Sequence, residues 1–308
     1  MLSSPAKILK NATQHNYAIG AFNINNMEAL QGIVEAAVEE NASVIIQTSQ
    51  GAIEYAGMDL LGSMVHTIAK EVDVPIVFHL DHGTNVDLVK EAIASGWYTS
   101  VMVDGSSYSY KENLALTKEI VALAHEKNIW VEAELGPIPG KEDNLDVHAR
   151  DAFMTDPALV ESFVKETGCD ALAISIGTAH GVTKFLGGSK LDYKRLALIR
   201  AQTSIPLVLH GASSIPANLV NIAKTYGADL STAKGISSPQ IRKLIAGGIG
   251  KVNIDSDLRI AFTGAVDKYM TLNPDNMDPR QYLGSGREAI KKEVKRKMQL
   301  FGTSNTCT

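Results

Sequence analysis

Short apolar runs rich in β-branched residues alternate along the chain with longer segments of helical periodicity. Such runs are typical of buried strands, and apolar residues three and four positions apart are typical of amphipathic helices. The pattern predicts eight strands, which are Tyr17–Asn23, Ser43–Ser49, Val74–Asp81, Thr99–Asp104, Ile129–Leu135, Ala171–Gly177, Ile205–Gly211 and Ile249–Asp255. Helical segments lie between them.

Start and stop signals mark several of these helices. Asn26 is the predicted N-cap of the helix that follows the first strand. Asp156 and Pro157 predict the start of a later helix that ends near Gly168. The last helix, residues 287–301, places apolar residues four positions apart at Ile290, Val294 and Met298, and its lysines predict a solvated face.

Repeated strand–helix units predict an α/β fold with a parallel sheet. Eight units in one chain favour a closed (β/α)₈ TIM barrel, with its active site at the C-terminal face of the strands, over an open doubly wound sheet. No Gly-x-Gly-x-x-Gly fingerprint follows the first strand, which argues against a dinucleotide-binding fold. We expect one barrel domain over residues 1–308, with a C-terminal helical extension over about 273–308.

Composition narrows the class of protein. The 308 residues are 45% hydrophobic with a formal net charge of −5, which favours a large core and argues against nucleic-acid binding. Two cysteines, Cys169 and Cys307, give no disulfide framework and indicate a reducing compartment. Neither a secretory pattern nor a membrane-length apolar stretch is present. We therefore expect a cytoplasmic protein that binds no membrane.

Every predicted strand ends with, or is followed closely by, a hydrogen-bonding or ionisable residue. Because the carboxyl ends of barrel strands form one face, these side chains should meet there. A purely structural set of strand ends would include several apolar residues, so the coincidence favours a functional site. The residues are Asn23, Ser49, Asp81, His82, Asp104, Glu132, Glu134, His180, His210, Asn253 and Asp255.

Three histidines, His82, His180 and His210, come from different strand ends, and a glycine follows each one. Glycine lets the backbone approach a bound ion or ligand closely. Three imidazoles with an open fourth position form the ligand set of a catalytic zinc site. We interpret the other histidines as structural, although His79 could contact the metal ligands without binding the metal itself.

Small residues after the last two strands indicate a phosphate site. Gly211, Ala212 and Ser213 follow one strand, and Asp255 with Ser256 opens the helix after the other. Backbone N–H groups at such positions bind oxyanions, and barrels often hold phosphate there. Ordinary turn and N-cap chemistry accounts for the same residues equally well.

A metal and a phosphate on one barrel face indicate a phosphorylated sugar as substrate, with the metal acting as a Lewis acid. Asp81, beside a candidate ligand, is the candidate general acid or base. A second base, Glu142 or Asp143, would come from the long loop 136–155, and Lys184 would add positive charge near the phosphate.

Six ordered motifs resemble class II, metal-dependent fructose-1,6-bisphosphate aldolases. They are HLDHG at 79–83, VEAELG at 131–136, GKEDN at 140–144, IGTAHG at 176–181, LVLHGAS at 207–213 and KVNIDSDLR at 251–259. The resemblance covers essentially the whole chain. It implies a glycolytic and gluconeogenic enzyme that reversibly cleaves fructose 1,6-bisphosphate into dihydroxyacetone phosphate and glyceraldehyde 3-phosphate.

The resemblance also implies residue roles. His82, His180 and His210 would bind a catalytic zinc ion, which Co²⁺ or another divalent ion could replace. Asp81 would exchange the proton of the hydroxyl on carbon 4, and Glu142 that of dihydroxyacetone phosphate. Asn253 would contact the reacting carbons, Asp104 and Glu134 would hold a second metal, and the substrate and its phosphate would contact Asn23, Ser49, Gly181, Lys184, Gly211, Ala212, Ser213, Asp255, Ser256 and Arg259.

Further partners are implied in the same way. A monovalent cation, Na⁺ or K⁺, would assist at the phosphate site. Arg280 matches an arginine that reaches the other phosphate from a neighbouring subunit, so the resemblance implies a homodimer or homotetramer.

Three alternatives stay open. Tagatose-1,6-bisphosphate aldolases share nearly all the motifs, although Gly83 after His82 favours fructose. A Schiff-base aldolase would use Lys251 as its nucleophile and gives the histidines no role. A non-catalytic sugar-phosphate-binding protein would bind such ligands without turnover.

Asp81 and His82 are neighbours, and strict strand alternation would aim them at opposite faces of the sheet. Both are predicted to reach one site. We therefore expect the strand to end by His82 and the chain to turn there, with Gly83 permitting the turn.

Overall fold

The computed structural model describes residues 1–138, 140–142, 145–147, 154–178, 191–213, 217–225 and 236–307. Its strands are β1 Ile19–Asn23, β2 Val44–Thr48, β3 Ile76–Gly83, β4 Ser100–Val103, β5 Trp130–Leu135, β6 Gly140–Glu142, β7 Leu145–Val147, β8 Ala171–Ile174, β9 Leu207–Leu209 and β10 Ile249–Ile254. All except β6 and β7 pair in parallel and close one barrel, with β10 returning to β1. The predicted (β/α)₈ barrel is confirmed.

Helices surround this barrel. They are α1 Pro5–His15, α2 Met27–Glu39, α3 Gln50–Ala56, α4 Met58–Ala69, α5 Val86–Ser95, α6 Tyr110–His125, α7 Pro157–Thr167, α8 Tyr193–Gln202, α9 Ala217–Thr225, α10 Ser238–Ala246, α11 Ser256–Leu272 and α12 Pro279–Phe301. Among the described residues, no helix is long and apolar enough to cross a membrane.

Local capping explains where two of the predicted helices begin. The Asn26 side chain accepts a hydrogen bond from the N–H of Ala29 at 2.9 Å at the start of α2. Asp156 caps α7 through the N–H of Ala158 at 3.0 Å. Each cap satisfies a backbone donor that the first helical turn leaves without a partner. Both predicted N-caps are therefore confirmed.

The last helix differs from the prediction in two respects. α12 begins at Pro279 rather than at residue 287, because Asp278 caps it there. The prediction that its lysines form a solvated face is wrong for Lys297, which is fully buried and lies 3.0 Å from Asp257 on α11. Its apolar residues are buried as expected: Ile290, Val294 and Met298.

The inside of the barrel changes character along its axis. Toward the amino ends of the strands an apolar cluster contains Ile19, Ile45, Val77, Trp130 and Val208, together with Ile8, Leu9 and Ala12 of α1. α1, which was not predicted from the sequence, thus closes this end. Closer to the carboxyl ends, buried polar side chains contact one another inside the barrel, namely His79, Glu132 and Lys251, and Gln47 is buried beside them.

The long connection after β5 also differs from the expected loop. It contains an antiparallel hairpin formed by β6 and β7. Glu142 is the last residue of β6, and its side chain lies outside the described part of the chain.

Candidate active site

Six barrel strands bring predicted site residues to the barrel mouth, which we define as the end formed by the carboxyl ends of the strands. Active sites of TIM barrels lie at this end. All of the residues that converge there are buried: Asn23, Asp81, His82, Asp104, Glu134, His210 and Asn253.

An irregularity in β3 explains how two adjacent residues reach the mouth. The φ of His82 is 47°, in the left-handed region that few non-glycine residues adopt. The register between β3 and β4 shifts between Leu80 and Gly83, which marks a β-bulge. The expected strand end at His82 is therefore wrong, since β3 continues to Gly83. Regular strand geometry is nevertheless broken at His82, as both side chains require.

Gly83 serves close packing rather than a left-handed turn. A Cβ atom at this position would collide with the carbonyl oxygen of Met102 and with Val89 Cγ2. Glycine is thus required for β4 to pack against the bulge.

Two imidazole rings meet edge to face at the centre of the mouth. His82 Nε2 and His210 Nδ1 are 2.8 Å apart, and the ring planes are inclined at 72°. The opposite nitrogen of each ring meets a carboxylate, with His82 Nδ1 at 3.1 Å from Asp104 Oδ2 and His210 Nε2 at 2.8 Å from Glu132 Oε1. The carboxylates therefore direct the two remaining nitrogens toward a common point.

The donor set fits a divalent metal ion. One group, Asp81, His82 and His210, offers ligand atoms that all lie within 4.8 Å of one another, and so does a second group, His82, Asp104 and Glu134. Glu134 Oε2 is buried with no hydrogen-bond partner among the described residues. An unsatisfied carboxylate oxygen beside imidazole nitrogens is the kind of site that zinc and similar ions occupy.

Electrostatics at the mouth follow from burial and close charges. Burial opposes the charged form of His82, yet Asp81 and Asp104 raise its pKa well above the ordinary value. Burial also opposes ionisation of Asp104, but the hydrogen bond from His82 lowers its pKa to about 2. Burial, followed by the nearby Asp104, raises the pKa of Glu134 well above its usual range. Three carboxyl groups, Asp81, Asp104 and Glu134, thus surround the His82 imidazole in a small volume.

Amide side chains hold Asp81 in place. Its Oδ2 accepts hydrogen bonds from Asn23 Nδ2 at 3.1 Å and from Gln47 Nε2 at 3.0 Å. Its Oδ1 accepts from Asn253 Nδ2 at 2.8 Å. Three N–H donors fix the carboxylate beside the imidazoles, where a substrate hydroxyl could reach it.

A buried ion pair lies beneath the histidines. Lys251 Nζ is 2.6 Å from Glu132 Oε2 and 3.3 Å from His79 Nε2. Burial, and then the charge of Lys251, lower the pKa of His79 well below its ordinary value, so its ring is neutral. Glu132 holds Lys251 Nζ in this ion pair beneath the histidines, which argues against its use as a Schiff-base nucleophile.

The predicted phosphate residues lie at the ends of β9 and β10. Gly211 has a φ of 62°, and Ala212 and Ser213 are buried. Asp255 precedes α11, whose first residue is Ser256, and Asp255 Oδ2 lies 2.8 Å from the Arg259 guanidinium. A helix N-terminus of this kind favours an oxyanion.

Other predicted residues do not join this cluster. Ser49 caps α3 through the N–H of Ala52 at 3.3 Å. Arg280 is 86% exposed and pairs with Asp278 at 2.8 Å, so its guanidinium lies on the surface. His180, Gly181 and Lys184 lie outside the described residues.

Three residues of the site were missed or given another role. Gln47, which bridges Asn23 and Asp81, was not predicted as a site residue, although it lies within the predicted strand Ser43–Ser49. Glu132 was named only as a polar strand end, and Lys251 only as an alternative nucleophile. Their partners lie on other strands, so the sequence carries no local signal for these contacts.

Comparison with known proteins gives a consistent result. Residues 3–306 match the family described as fructose-bisphosphate aldolase class-II. A fructose-bisphosphate aldolase of Helicobacter pylori (strain ATCC 700392 / 26695) is 44% identical over 306 residues, which cover 99% of each chain. One from Thermus caldophilus is 44% identical over 303 residues, covering 98% of this chain and 99% of that protein. The crystal structure of the YdjI aldolase from Escherichia coli K12 superposes with a TM-score of 0.82 at 32% identity and covers 100% of both chains.

Proposed function

The chain belongs to the class II fructose-bisphosphate aldolase family, and we propose that it cleaves fructose 1,6-bisphosphate with a zinc ion bound at the barrel mouth. The observation that supports this best is the pair of imidazole nitrogens, His82 Nε2 and His210 Nδ1, directed at one point beside Asp81. His82 and His210 would hold the ion, with His180 as the third ligand. When bound, the ion withdraws electrons from the ketose carbonyl and so weakens the carbon–carbon bond to be broken.

Asp81 is the proposed base for cleavage. It would remove the proton from the hydroxyl on carbon 4, so that the carbon 4 oxygen becomes the aldehyde oxygen of glyceraldehyde 3-phosphate as the bond to carbon 3 breaks. The amide of Asn253, 2.8 Å from Asp81 Oδ1, orients the carboxylate for this transfer. Glu142 would deliver the proton that carbon 3 of the dihydroxyacetone phosphate fragment requires.

The remaining groups would bind substrate and ions. The start of α11 at Ser256, with the backbone from Gly211 to Ser213, would hold one phosphate, and Lys184 and a Na⁺ or K⁺ ion would balance its charge. Asp104 and Glu134 would bind a second divalent ion.

Assembly and cellular role belong to the same proposal. The exposed guanidinium of Arg280 is available to a neighbouring subunit, which supports a homodimer or homotetramer with shared phosphate sites. We place the enzyme in glycolysis and gluconeogenesis in the cytoplasm, and its two free cysteines, Cys169 and Cys307, suit a reducing compartment.

A coupled assay tests the reaction and the substrate together. Release of dihydroxyacetone phosphate is followed with fructose and with tagatose 1,6-bisphosphate, with and without EDTA. We expect faster cleavage of the fructose compound, loss of activity in EDTA and recovery with zinc or cobalt. Full activity in metal-stripped protein, or binding of both sugars without cleavage, would contradict the proposal.

A further inference from the structure

A pair of oppositely charged side chains lies directly beneath His210, inside the barrel. Glu132 is fully buried and uses both carboxylate oxygens, one toward His210 Nε2 at 2.8 Å and the other toward Lys251 Nζ at 2.6 Å. Lys251 also reaches His79 Nε2 at 3.3 Å, and His79 Nδ1 lies 2.8 Å from Ser100 Oγ. The carboxylate is therefore held between two donors and cannot rotate without losing one of them.

These contacts define which nitrogen of His210 carries the proton. A carboxylate only accepts hydrogen bonds, so His210 Nε2 must donate its N–H to Glu132. His210 Nδ1 then keeps its lone pair. The contacts on the other side agree, because Asn253 Nδ2 lies 3.2 Å from His210 Nδ1 and is itself a donor.

We propose that Glu132 and Lys251 are positioning residues that hold His210 with its Nδ1 lone pair directed at the metal. Glu132 fixes the tautomer and the orientation of the ring, and Lys251 fixes Glu132. The inference rests on the proposed function, since it takes His210 as a metal ligand. Loss of such a supporting carboxylate typically lowers metal affinity about 10–100-fold.

The first test removes the charged side chain of Lys251 and compares the result with removal of a second buried lysine elsewhere in the chain. In Lys251→Met the carboxylate of Glu132 loses its anchor, so we expect zinc affinity to fall about 10–100-fold. Lys297 is the control, because it is also fully buried and also pairs with a carboxylate, at 3.0 Å from Asp257 on α11. Lys297→Met should lower stability without changing zinc affinity.

The second test separates positioning from folding. Replacing a buried ion pair by apolar residues of similar volume is often neutral for stability. Glu132→Leu/Lys251→Met should therefore fold but bind zinc about 10–100-fold more weakly. Glu132→Gln/Lys251→Met keeps a carbonyl that can accept the His210 N–H, so we expect it to recover most of the affinity.

Zinc affinity is measured by competition with a chromophoric chelator, folding by thermal unfolding, and the tautomer by ¹⁵N NMR of the His210 ring in metal-free protein. The wild-type ring should carry its proton on Nε2, and the Leu/Met variant should show a mixture. Wild-type affinity in a folded Glu132→Leu/Lys251→Met variant would overturn the inference. Failure of the wild-type protein to bind zinc would instead overturn the proposed function, so the two failures are distinguishable.

Discussion

The two ends of the barrel interior are built from the same strands with opposite chemistry. Toward the amino ends, Ile45, Val77 and Trp130 pack with Leu9 of α1 into an apolar plug. Toward the carboxyl ends, inward residues such as Asp81 and Asn253 form a hydrogen-bonded polar cluster. One end supplies stability through burial, whereas the other accepts buried charge, as the metal binding and proton transfer that we propose require. Substitutions at the amino end should therefore change the free energy of unfolding, and substitutions at the carboxyl end should change kcat.

The largest effect on activity is expected at Asp81. Asp81→Asn keeps the shape of the side chain but removes the proposed base, so kcat should fall about 10²–10⁴-fold. Asp73, which is exposed just before β3 at the opposite end of the barrel, provides the control. Asp73→Asn should retain wild-type kcat in the same aldol-cleavage assay. A kcat for Asp81→Asn near that of wild type would show that another group takes the proton.

At the apolar end, Leu9→Ala should affect stability rather than chemistry. Leu9 is fully buried in the plug, and a truncation of this kind costs about 2–5 kcal/mol of unfolding free energy. Denaturant unfolding measures that loss, and kcat of the folded fraction should stay close to wild type. A large fall in kcat without a change in stability would contradict the separation of the two ends.

Gly83→Ala should moderately lower both stability and zinc affinity, because Gly83 is the last residue of β3 and lies next to His82. The added methyl group would collide with the carbonyl oxygen of Met102, which should lower the free energy of unfolding by about 1–3 kcal/mol. The same collision should displace His82 and so weaken zinc binding. Gly284→Ala is the matched control, since nothing lies within 4 Å of a Cβ there and α12 should tolerate alanine. Equal zinc affinity in Gly83→Ala and wild type would argue against a role for this packing in placing His82.

The smallest effect concerns the reactivity of Cys169, which lies just before β8 at the amino end of the strands. Burial raises the pKa of its thiol to about 11, so at pH 8 almost none is present as the reactive thiolate. A thiol-specific reagent should modify the half-buried Cys307 in the folded protein and Cys169 only after unfolding. Equal rates for both cysteines would show that this end of the barrel opens readily.

Much of this arrangement was predictable from the sequence, because it depends on local patterns. Strand–helix alternation predicted the barrel, and polar strand ends identified Asp81, His82 and His210 as candidates that the structure brings together. A turn at His82 was predicted, but the bulge that produces it within a continuing strand was not, since a bulge depends on the register with β4 rather than on residue type. The burial of Lys297 was missed for a similar reason, because its partner Asp257 lies on another helix.

The polar contacts inside the barrel were the least predictable part. Lys251 and Glu132 are 119 residues apart in the sequence and meet only when the barrel closes. Gln47 reaches Asp81 from a neighbouring strand in the same way. No motif spacing encodes such pairs, so their roles emerge only from the three-dimensional arrangement.

Zinc titration of metal-stripped protein tests whether His82 and His210 hold a metal ion that cleavage requires. Fructose 1,6-bisphosphate cleavage is measured at each addition of zinc, together with the zinc bound per chain. We predict that activity starts near zero and rises in proportion to bound zinc, whereas His82→Ala and His210→Ala bind zinc weakly and remain inactive. Full cleavage activity before any zinc is added would show that cleavage needs no metal ion at these histidines.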